Sequence, residues 1–440
     1  MVAHGAKDQS PLGDGSIHAN LQFKCIIAYD VLSVSPHYIT RALEPVLRKA
    51  AAQFPAVVLT GPRQSGKTTL LKHVFAGASN YVSLEPPDVR GSAAADPRGF
   101  LDRYPPPVIF DEVQYAPDLL PYIKERIDER RSTHGQYFLT GSQNLLLAGQ
   151  VTESLAGRAA MLRLLPVSQR EESGRTPDAL FWESLKEHNA IPRIAPSDLW
   201  NRFLRGGYPE LVAEPDRDIP LWHSSYVQTY LERDVRSLRQ IGDLISFQNF
   251  LRALAVRSGQ LLNLADLARD LGVAVNTAKA WLSVLEATFQ VIVLRPYHAN
   301  VGKRLVKTPK VYFTDTGSLC YLAGLKDPDH AAAGPLGGTI LEAAVLSEIV
   351  KAFVNRGEEP RIHFWRTSAG VEVDLIIETA GRLIPIEVKL SATPRPAMAS
   401  GIRAFQEDLG EKAGPGFVIH PGAVRLPLAP NVVALPFTEL

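Results

Sequence analysis

The chain has 440 residues, of which 45% are hydrophobic and 21% charged, and 47 Lys+Arg against 46 Asp+Glu give a formal net charge of +1. This composition predicts a globular protein of roughly two to four domains and excludes a mainly disordered chain or a chain-wide polycation, although a local basic patch stays compatible with it. Two cysteines, Cys25 and Cys320, exclude a disulfide-rich scaffold and a cysteine zinc cluster.

The amino-terminal region has no recognisable targeting signal or membrane anchor. Residues 1–36 lack periodicity before Leu21 and are expected to form a poorly ordered extension outside the first domain. Lys24 and Asp30 interrupt the apolar stretch that ends at Leu32, and no small-residue cleavage site follows. Since no run of about eighteen apolar residues exists either, we expect a cytoplasmic protein without a membrane segment.

Residues 37–170 have the alternating pattern of an α/β domain. A helix with an apolar face is predicted from Tyr38 to Ala52, and further helices from Lys67 to Phe75 and from Leu119 to Arg130. Five short apolar strands are predicted at Ala56–Thr60, Tyr81–Leu84, Val108–Phe110, Gln136–Thr140 and Met161–Leu165. Apolar strands that alternate with helices indicate a parallel sheet covered on both faces.

Residues 195–325 are predicted to be mainly helical. Two periodic helices come first, and then a helix, a Gly turn and a second helix, which fit a helix-turn-helix. Two strands follow, as the wing of a winged helix would. In chain order these elements are Trp222–Leu238, Ser246–Arg257, Leu264–Val273, Asn276–Ala287, Val291–Leu294 and Lys310–Phe313.

A Gly/Pro/Ala-rich stretch, Leu325 to Gly338, marks the next boundary, and residues 335–425 read as a second α/β unit. We expect a helix, three antiparallel strands, a helix and a further strand. Their ranges are Ile340–Phe353, His363–Trp365, Val371–Glu378, Arg382–Lys389, Met398–Leu409 and Gly416–His420. Residues 426–440 are treated as a carboxyl-terminal tail.

A phosphate-binding loop follows the first strand. The residues are Gly61, Pro62, Arg63, Gln64, Ser65, Gly66, Lys67 and Thr68, which match G-x-x-x-x-G-K-[ST] between a strand and a helix, with Thr69 next. The glycines let backbone N–H groups approach phosphate, and the helix points its positive end there. We expect Lys67 to reach the β- and γ-phosphates and the Thr68 hydroxyl to bind Mg²⁺.

An acidic pair ends the third strand. Because ligands bind at the carboxyl ends of parallel strands, we expect Asp111 to hold Mg²⁺ and Glu112 to act as the general base for a hydrolytic water. The alternative is an exposed acidic pair that opens a loop.

Two further candidates for the nucleotide site also have an ordinary structural interpretation. Ser142 or Gln143, past the fourth strand, is a sensor of the γ-phosphate or else a helix cap. Arg158 is an arginine finger for a second protomer, which would require a homo-oligomer, or else a surface arginine.

These segments resemble a large prokaryotic group of AAA-type ATPases, in which a P-loop domain precedes a winged helix and a domain of undefined function. The resemblance rests on residues 61–69, 108–114 and 139–143, and on 206–210, 230–235, 303–310 and 313–317, and it covers about residues 37–420. It implies ATP binding with Mg²⁺ and ATP hydrolysis, and it supplies no substrate.

A second candidate site lies in the carboxyl-terminal unit. Asp374 and the later Glu387-Val388-Lys389 resemble the pattern of the restriction-endonuclease-like fold. Glu387 and Lys389 are two apart on a strand and therefore face the same side. Asp374 and Glu387 would hold Mg²⁺, Lys389 would position water, and Glu342 or else Glu348 would be the helix acid. The alternatives are an amphipathic hairpin with surface charges and a non-cleaving binding module of the same fold.

Evidence for nucleic-acid contact is thin. The second helix of the helix-turn-helix offers Asn276, Thr277 and Lys279 to a groove, while Trp281, Leu282 and Leu285 are expected in the core. A basic cluster that could touch phosphates, or else a solvated loop, consists of Lys303, Arg304, Lys307 and Lys310.

Three functions are compatible with these observations. The first is an ATPase that couples nucleotide state to a nucleic-acid or protein partner. The second is a DNA-processing nuclease that uses ATP as a switch. The third is a non-catalytic, nucleotide-regulated DNA- or protein-binding module of a defence or toxin–antitoxin-like system.

Overall fold

A computed structural model describes residues 38–141, 154–176, 180–183, 196–231, 244–297 and 307–440. Several predictions therefore lie outside the described residues: the extension 1–36, the sensor candidates Ser142 and Gln143, and Lys303 and Arg304 of the basic cluster. Residues Ile39–Leu440 form one compact unit. Within the described ranges, no helix is long and apolar enough to cross a membrane.

The first sheet has five parallel strands in the order β2-β3-β4-β1-β5. They are β1 Ala56–Thr60, β2 Asn80–Ser83, β3 Val108–Asp111, β4 Tyr137–Gly141 and β5 Ala159–Arg163. The helices around it are Glu44–Gln53, Lys67–Val74, Pro87–Ala95, Pro97–Arg103 and Leu120–Glu129. The predicted parallel sheet is confirmed, with strand bounds that shift by two residues at most.

Alternation along β1 explains why both faces of this sheet are covered. Ala56 and Val58 pack into one apolar cluster with the helix Leu120–Glu129, and Val57 and Leu59 pack into another on the opposite face. All five residues of β1 are buried. The first four residues of β1 are apolar, and such a strand is stable only between two layers, because successive side chains point to opposite faces.

The middle region contains helices followed by two antiparallel strands. The helices are Pro196–Arg205, Pro209–Ala213, Ile219–Tyr226, Leu244–Val256, Leu264–Asp270 and Val275–Ala287, and the strands are β6 Val291–Leu294 and β7 Lys310–Phe313. The predicted core residues Trp281, Leu282 and Leu285 are buried. The expected single helix from Trp222 instead ends at Tyr226 and passes into a π-helical turn, Val227–Leu231, before the described residues stop.

The second sheet is mixed and has the order β12-β13-β11-β10-β9-β8. Its strands are β8 Ile362–Arg366, β9 Glu372–Thr379, β10 Arg382–Val388, β11 Gly416–His420, β12 Leu426–Ala429 and β13 Val432–Pro436, with the helix Ser400–Leu409 between β10 and β11. The three antiparallel strands β8 to β10 lie where the sequence predicts them. Residues 426–440 are not a loose tail, since β13 pairs with β11 and Val432 and Leu435 are buried.

The helix Gly337–Asn355, called the long helix below, joins the middle and carboxyl-terminal regions. Fourteen of its 19 residues are buried. One apolar cluster includes Leu254 and Leu285 of the middle region together with Leu346 of the long helix and Ile377 of β9. The Gly/Pro/Ala-rich stretch before it is structured too, since it contains the helix Pro328–Ala333, and the helix Thr316–Leu322 precedes it. The two regions therefore share a core.

Candidate functional site

The loop after β1 adopts the backbone conformation that its glycines predict. Gly61 has φ 148° and Gly66 φ 90°, both in the region that favours glycine, and Gln64 is left-handed at φ 58°. A Cβ atom at Gly61 would lie 2.1 Å from the carbonyl oxygen of Leu164. The loop therefore tolerates no side chain at Gly61, and the helix Lys67–Val74 begins directly after it.

Lys67 folds back over this loop. Its Nζ donates hydrogen bonds to the carbonyl oxygens of Gly61 at 3.1 Å and Pro62 at 2.8 Å, and the residue is 5% exposed. The ammonium group thus lies inside the loop, where the pattern predicts a phosphate-binding lysine. Among the other predicted loop residues, Pro62, Arg63 and Ser65 are buried and Gln64 and Thr69 are exposed.

The two residues predicted to bind metal are in contact. The Thr68 hydroxyl donates to Oδ1 of Asp111 at 2.8 Å, although the two residues are 43 positions apart. Two residues that sequence reasoning missed also contact this carboxylate: Tyr81 of β2 donates to Oδ2 at 2.9 Å and Thr140 of β4 donates to Oδ1. All three strands deliver these side chains to the carboxyl edge of the sheet, where ligands bind in such folds.

The residues present fit a nucleotide with Mg²⁺. Hydroxyl and carboxylate oxygens are the ligands that Mg²⁺ prefers, and Thr68 and Asp111 offer one of each. Ser65 Oγ, in the loop, is buried without a hydrogen-bond partner in the described parts of the chain. A buried polar atom is normally satisfied, so this hydroxyl is available to a ligand of the loop.

Glu112 has an unusual backbone conformation that turns the chain away from β3. Its φ is 57°, which a non-glycine residue seldom adopts, and its N–H donates to Thr140 Oγ1 at 3.0 Å. Its carboxylate accepts a hydrogen bond from Gln114 Nε2. Backbone outliers of this kind cluster at functional sites. The role as general base stays a prediction.

Tyr81 donates the hydrogen bond that it forms with Asp111, because burial and the nearby charge keep its hydroxyl protonated. Burial, and then the Asp111 carboxylate, raise the pKa of Tyr81 well above its ordinary value, so the phenol keeps its proton and donates. Nζ of Lys72 lies 3.4 Å from the centre of the Tyr81 ring. Burial lowers the pKa of Lys72 although Asp111 opposes this.

Arg158 lies at the amino-terminal end of β1, opposite the end that leads into the phosphate loop. Its carbonyl oxygen accepts a hydrogen bond from the N–H of Ala56, the first residue of β1, whereas the phosphate loop follows the last. Its guanidinium forms a bidentate ion pair with Asp128, with distances of 2.7 and 2.9 Å. This pair accounts for Arg158 within the described chain, and the finger role in a neighbouring protomer stays a prediction.

The second set of predicted residues comes together from three elements. Ile386 of β10 pairs with Leu375 of β9, and Glu387 and Asp374 are the next residues along these two antiparallel strands. Nζ of Lys389 lies 2.5 Å from Glu387 Oε2 and 3.9 Å from Asp374 Oδ2. Glu342 of the long helix interacts electrostatically with both Asp374 and Lys389. We call these four residues, together with Lys310, Tyr312 and Glu372, the acidic cluster.

Three members of the acidic cluster were not foreseen. Lys310 of β7 forms ion pairs with Glu372 at 2.6 Å and Glu342 at 3.3 Å, and the Tyr312 hydroxyl donates to Glu342. Lys310 is 4% exposed, so its assignment to a phosphate-touching surface patch was wrong. Alternation on β7 explains this placement, because Lys310 and Tyr312 point to the same face. Lys307 is exposed.

Two carboxyl groups of the acidic cluster, those of Glu342 and Glu387, hold protons unusually tightly. Burial, and then the neighbouring Asp374, raise the pKa of Glu342 to about 7 and that of Glu387 to about 8. Burial opposes the charge of Lys310 and Lys389, but the surrounding carboxylates raise both lysine pKa values on balance. The lysines therefore stay charged and neutralise part of the cluster.

The arrangement departs from the predicted metal site in two ways. No group of three or more His, Cys, Asp or Glu side chains within the described ranges has an arrangement that could hold a metal ion. Glu348, the other helix-acid candidate, lies elsewhere: it accepts hydrogen bonds from Lys351 and from the N–H of Gln169, both at 2.9 Å.

On the helix Val275–Ala287, which was predicted to contact nucleic acid, Asn276 and Lys279 are exposed and Thr277 is half-buried.

Three family matches cover most of the chain. A family described as an AAA domain matches residues 53–172, and two families described as domains of unknown function, DUF8612 and DUF4143, match residues 196–329 and 337–440. Among solved structures, a Walker-type ATPase, paby2304 of Pyrococcus abyssi, has a TM-score of 0.42 at 16% identity and covers 64% of this chain and 94% of that one. RuvB of Thermotoga maritima has a TM-score of 0.28 at 18% identity, covering 57% and 86%.

Two curated relatives are similar along most of their length. The uncharacterized proteins Rv2008c of Mycobacterium tuberculosis (strain ATCC 25618 / H37Rv) and Mb2031c of Mycobacterium bovis (strain ATCC BAA-935 / AF2122/97) are each 33% identical over 398 residues. The alignment covers 90% of this chain and 82% of each relative. The chain therefore belongs to the family of Rv2008c and Mb2031c, and it contains an AAA domain at residues 53–172.

Proposed function

We propose that this protein is a Mg²⁺-dependent ATPase that hydrolyses ATP to ADP and phosphate at the loop after β1. The observation that carries the proposal is the contact between Thr68 and Asp111 beside the buried ammonium of Lys67. Lys67 and Thr68 follow β1 and Asp111 ends β3, and the three groups meet at the carboxyl ends of the strands, where ligands bind in such sheets. The match of residues 53–172 to an AAA domain supports the same activity.

Each residue then has a distinct task. Backbone N–H groups of the loop and the ammonium of Lys67 bind the phosphates, and Thr68 and Asp111 would hold Mg²⁺, which supplies charge neutralisation on the β- and γ-phosphates. Glu112 accepts a proton from the attacking water. Thr140 ties Asp111 and the Glu112 backbone together through one hydroxyl, and so aligns the metal-binding acid with the base.

Turnover of ATP tests the chemistry. We expect Glu112→Gln to keep nucleotide affinity and lower turnover by about 10²–10⁴, the usual contribution of a general base. Lys67→Ala should lose both binding and turnover, and Lys49→Ala, which removes an exposed lysine from a nearby helix, should change neither. Wild-type turnover in Glu112→Gln would exclude this residue as the base.

A second candidate function is metal-dependent cleavage of DNA by a restriction-endonuclease-like carboxyl-terminal unit, with ATP as a switch. The meeting of Glu342, Asp374, Glu387 and Lys389 favours it, whereas the carboxyl groups of the described chain do not form a metal-holding group as they stand. In a plasmid-digestion assay with Mg²⁺ and ATP, the double variant Asp374→Ala/Lys389→Ala should be inactive. Cleavage that survives in this variant would exclude the acidic cluster as its site.

The coupling of ATP to a DNA or protein partner belongs to the same proposal. Helices Leu264–Asp270 and Val275–Ala287 with strands β6 and β7 have the element order of a winged helix. Salt-dependent binding of duplex DNA that weakens in Lys279→Ala would support DNA as the partner. No salt-dependent binding of duplex DNA by the wild-type protein would favour a protein partner instead.

A further inference from the structure

Arg41 contacts the phosphate loop from outside. The residue is 4% exposed and precedes the helix Glu44–Gln53. Its Nη1 donates to the carbonyl oxygen of Ser65 in the loop at 2.9 Å, and its Nη2 donates to the carbonyl oxygen of Leu165 at 2.7 Å. Its Nε donates to Oε1 of Glu171 at 3.0 Å. One guanidinium thus fixes three segments that are distant in sequence.

The contact with Ser65 determines the direction of the next amide. In a trans peptide the C=O and the N–H point to opposite sides of the chain. Because the Ser65 carbonyl points at Arg41, the N–H of Gly66 points away from it, toward the inside of the loop. Backbone N–H groups of such a loop are the groups that bind phosphate oxygens.

Pro209 and Arg41 lie close to the loop at Gly66. A Cβ atom at Gly66 would lie 3.6 Å from Pro209 Cγ and 3.8 Å from Arg41 Nη1. Gly66 also has φ 90°, which a side chain would strain. Turning this peptide over would also break the hydrogen bond from Arg41 to the Ser65 carbonyl oxygen, so Arg41 opposes that change.

Glu171 keeps the Arg41 guanidinium in its position. The carboxylate is buried and accepts hydrogen bonds from the N–H groups of Ala42 and Ser168, both at 2.8 Å, as well as from Arg41. The charge of Arg41 is thus neutralised on the side away from the loop. Arg41 acts through the backbone of Ser65, and nothing in this geometry requires it to touch the nucleotide.

We propose that Arg41 is a positioning residue of the nucleotide site, which holds the Ser65–Gly66 peptide so that the Gly66 N–H faces the phosphates. This inference rests on the proposed ATP binding at the same loop. It requires the full three-way contact, because a side chain without the three donor nitrogens of a guanidinium cannot hold Ser65, Leu165 and Glu171 together.

The test measures the affinity of a fluorescent ATP analogue with Mg²⁺, together with KM and kcat for ATP. Arg41→Gln should weaken nucleotide binding about tenfold, which corresponds to about 1.4 kcal/mol. KM should rise more than kcat falls, since an amide that binds phosphate in both ground and transition states affects affinity first. Arg41→Lys, which keeps the positive charge but has a single donor nitrogen, should lie between wild type and Arg41→Gln.

Lys351 provides a matched control for a merely structural role. It is also a buried cation, 5% exposed, and its Nζ donates to the carbonyl oxygen of Val167 at 3.1 Å and to Glu348 at 2.9 Å. Lys351→Gln should therefore lower the midpoint of thermal unfolding as Arg41→Gln does. It should leave nucleotide affinity unchanged, because none of these contacts involves the loop.

The outcomes separate the possibilities. Wild-type affinity in folded Arg41→Gln, or an equal loss of affinity in Lys351→Gln, would overturn the positioning role. If Arg41→Gln does not fold, Arg41→Lys decides, and wild-type affinity and KM in that variant would overturn it too. A wild-type protein that binds no nucleotide would instead refute the proposed function itself.

Discussion

A single carboxylate, that of Asp111, organises the candidate nucleotide site. It accepts hydrogen bonds from Thr68, Tyr81 and Thr140, which belong to three different segments. The sequence pattern predicts the pairing of Thr68 with Asp111, because both residue types have known places around a phosphate loop. Tyr81 and Thr140 escape such reasoning, because their contacts depend on which strands neighbour β3 in the sheet.

Replacing Tyr81 by Phe should destabilise the protein. The variant keeps the ring and removes the only donor to Oδ2 of Asp111 in the described part of the site, and a hydrogen bond to a charged group contributes about 1.5–3 kcal/mol. We expect a loss in this range in the free energy of unfolding by chemical denaturation. Tyr122→Phe, at a half-buried ring that packs against Arg98, is the control. Equal effects in the two variants would contradict the role given to the Tyr81 hydroxyl.

The acidic cluster should make stability depend on pH. The pKa values of about 7 for Glu342 and about 8 for Glu387 lie above the ordinary 4.5, so the folded protein holds protons that the unfolded chain releases. The free energy of unfolding contributed by these groups should therefore fall as pH rises from about 4.5 to about 8.

Denaturation curves across this pH range test that prediction. In Glu342→Gln/Glu387→Gln the decline should be smaller than in wild type, since neither side chain can titrate. Glu125→Gln/Glu129→Gln, at two exposed positions of a surface helix, should follow the wild-type curve. An identical pH dependence in wild type and the cluster variant would show that the cluster does not hold these protons.

At the scale of elements, hydrogen bonds of the turn at Gly206 and Gly207 hold the phosphate-loop domain to the rest of the chain. The N–H of Gly207 donates to Asp315 Oδ1 at 2.7 Å, and its carbonyl oxygen accepts from the N–H of Val167 at 2.7 Å. The long helix holds the same segment, because Lys351 donates to the carbonyl oxygen of Val167. Glu171, the partner of Arg41, lies four residues further along.

Gly206 should accept a side chain poorly. Its φ is 79°, and a Cβ atom would lie 2.6 Å from both carboxylate oxygens of Asp315. Gly206→Ala should cost about 1–2 kcal/mol for the left-handed backbone and about 1–3 kcal/mol more for the overlap.

Gly324→Ala is the matched control for the backbone contribution. Gly324 has nearly the same φ, 77°, and nothing lies within 4 Å of an added Cβ atom. Thermal or chemical unfolding of both variants isolates the overlap with Asp315. If both variants lost the same stability, the close approach of Gly206 to Asp315 would not constrain the turn.

At the scale of the whole molecule, local patterns predicted the elements well and their assembly poorly. The apolar runs β1 to β5 and the period-two strands β8 to β10 leave clear signals, because their side chains meet a fixed environment on each face. The shared core around the long helix and the strands β12 and β13 leave none, since the chain from 325 to 338 and after 425 has the composition of a linker or tail.

The acidic cluster shows the same limit. Asp374, Glu387 and Lys389 are close in sequence and were expected together, and Glu342 was added through the resemblance. Lys310 and Tyr312 come from β7 of the middle region, and only the packing of that strand against the long helix places them beside Glu342. Long-range contacts of this kind have no periodicity that a single sequence reveals.

Nucleotide binding at the loop after β1 is the central claim, and calorimetric titration with Mg²⁺–ATP measures it most directly. Wild type should bind one nucleotide per chain, and Lys67→Ala should lose detectable binding, while its thermal unfolding midpoint without nucleotide stays close to that of wild type. Undiminished binding by folded Lys67→Ala, or no binding by the wild-type protein, would contradict the account.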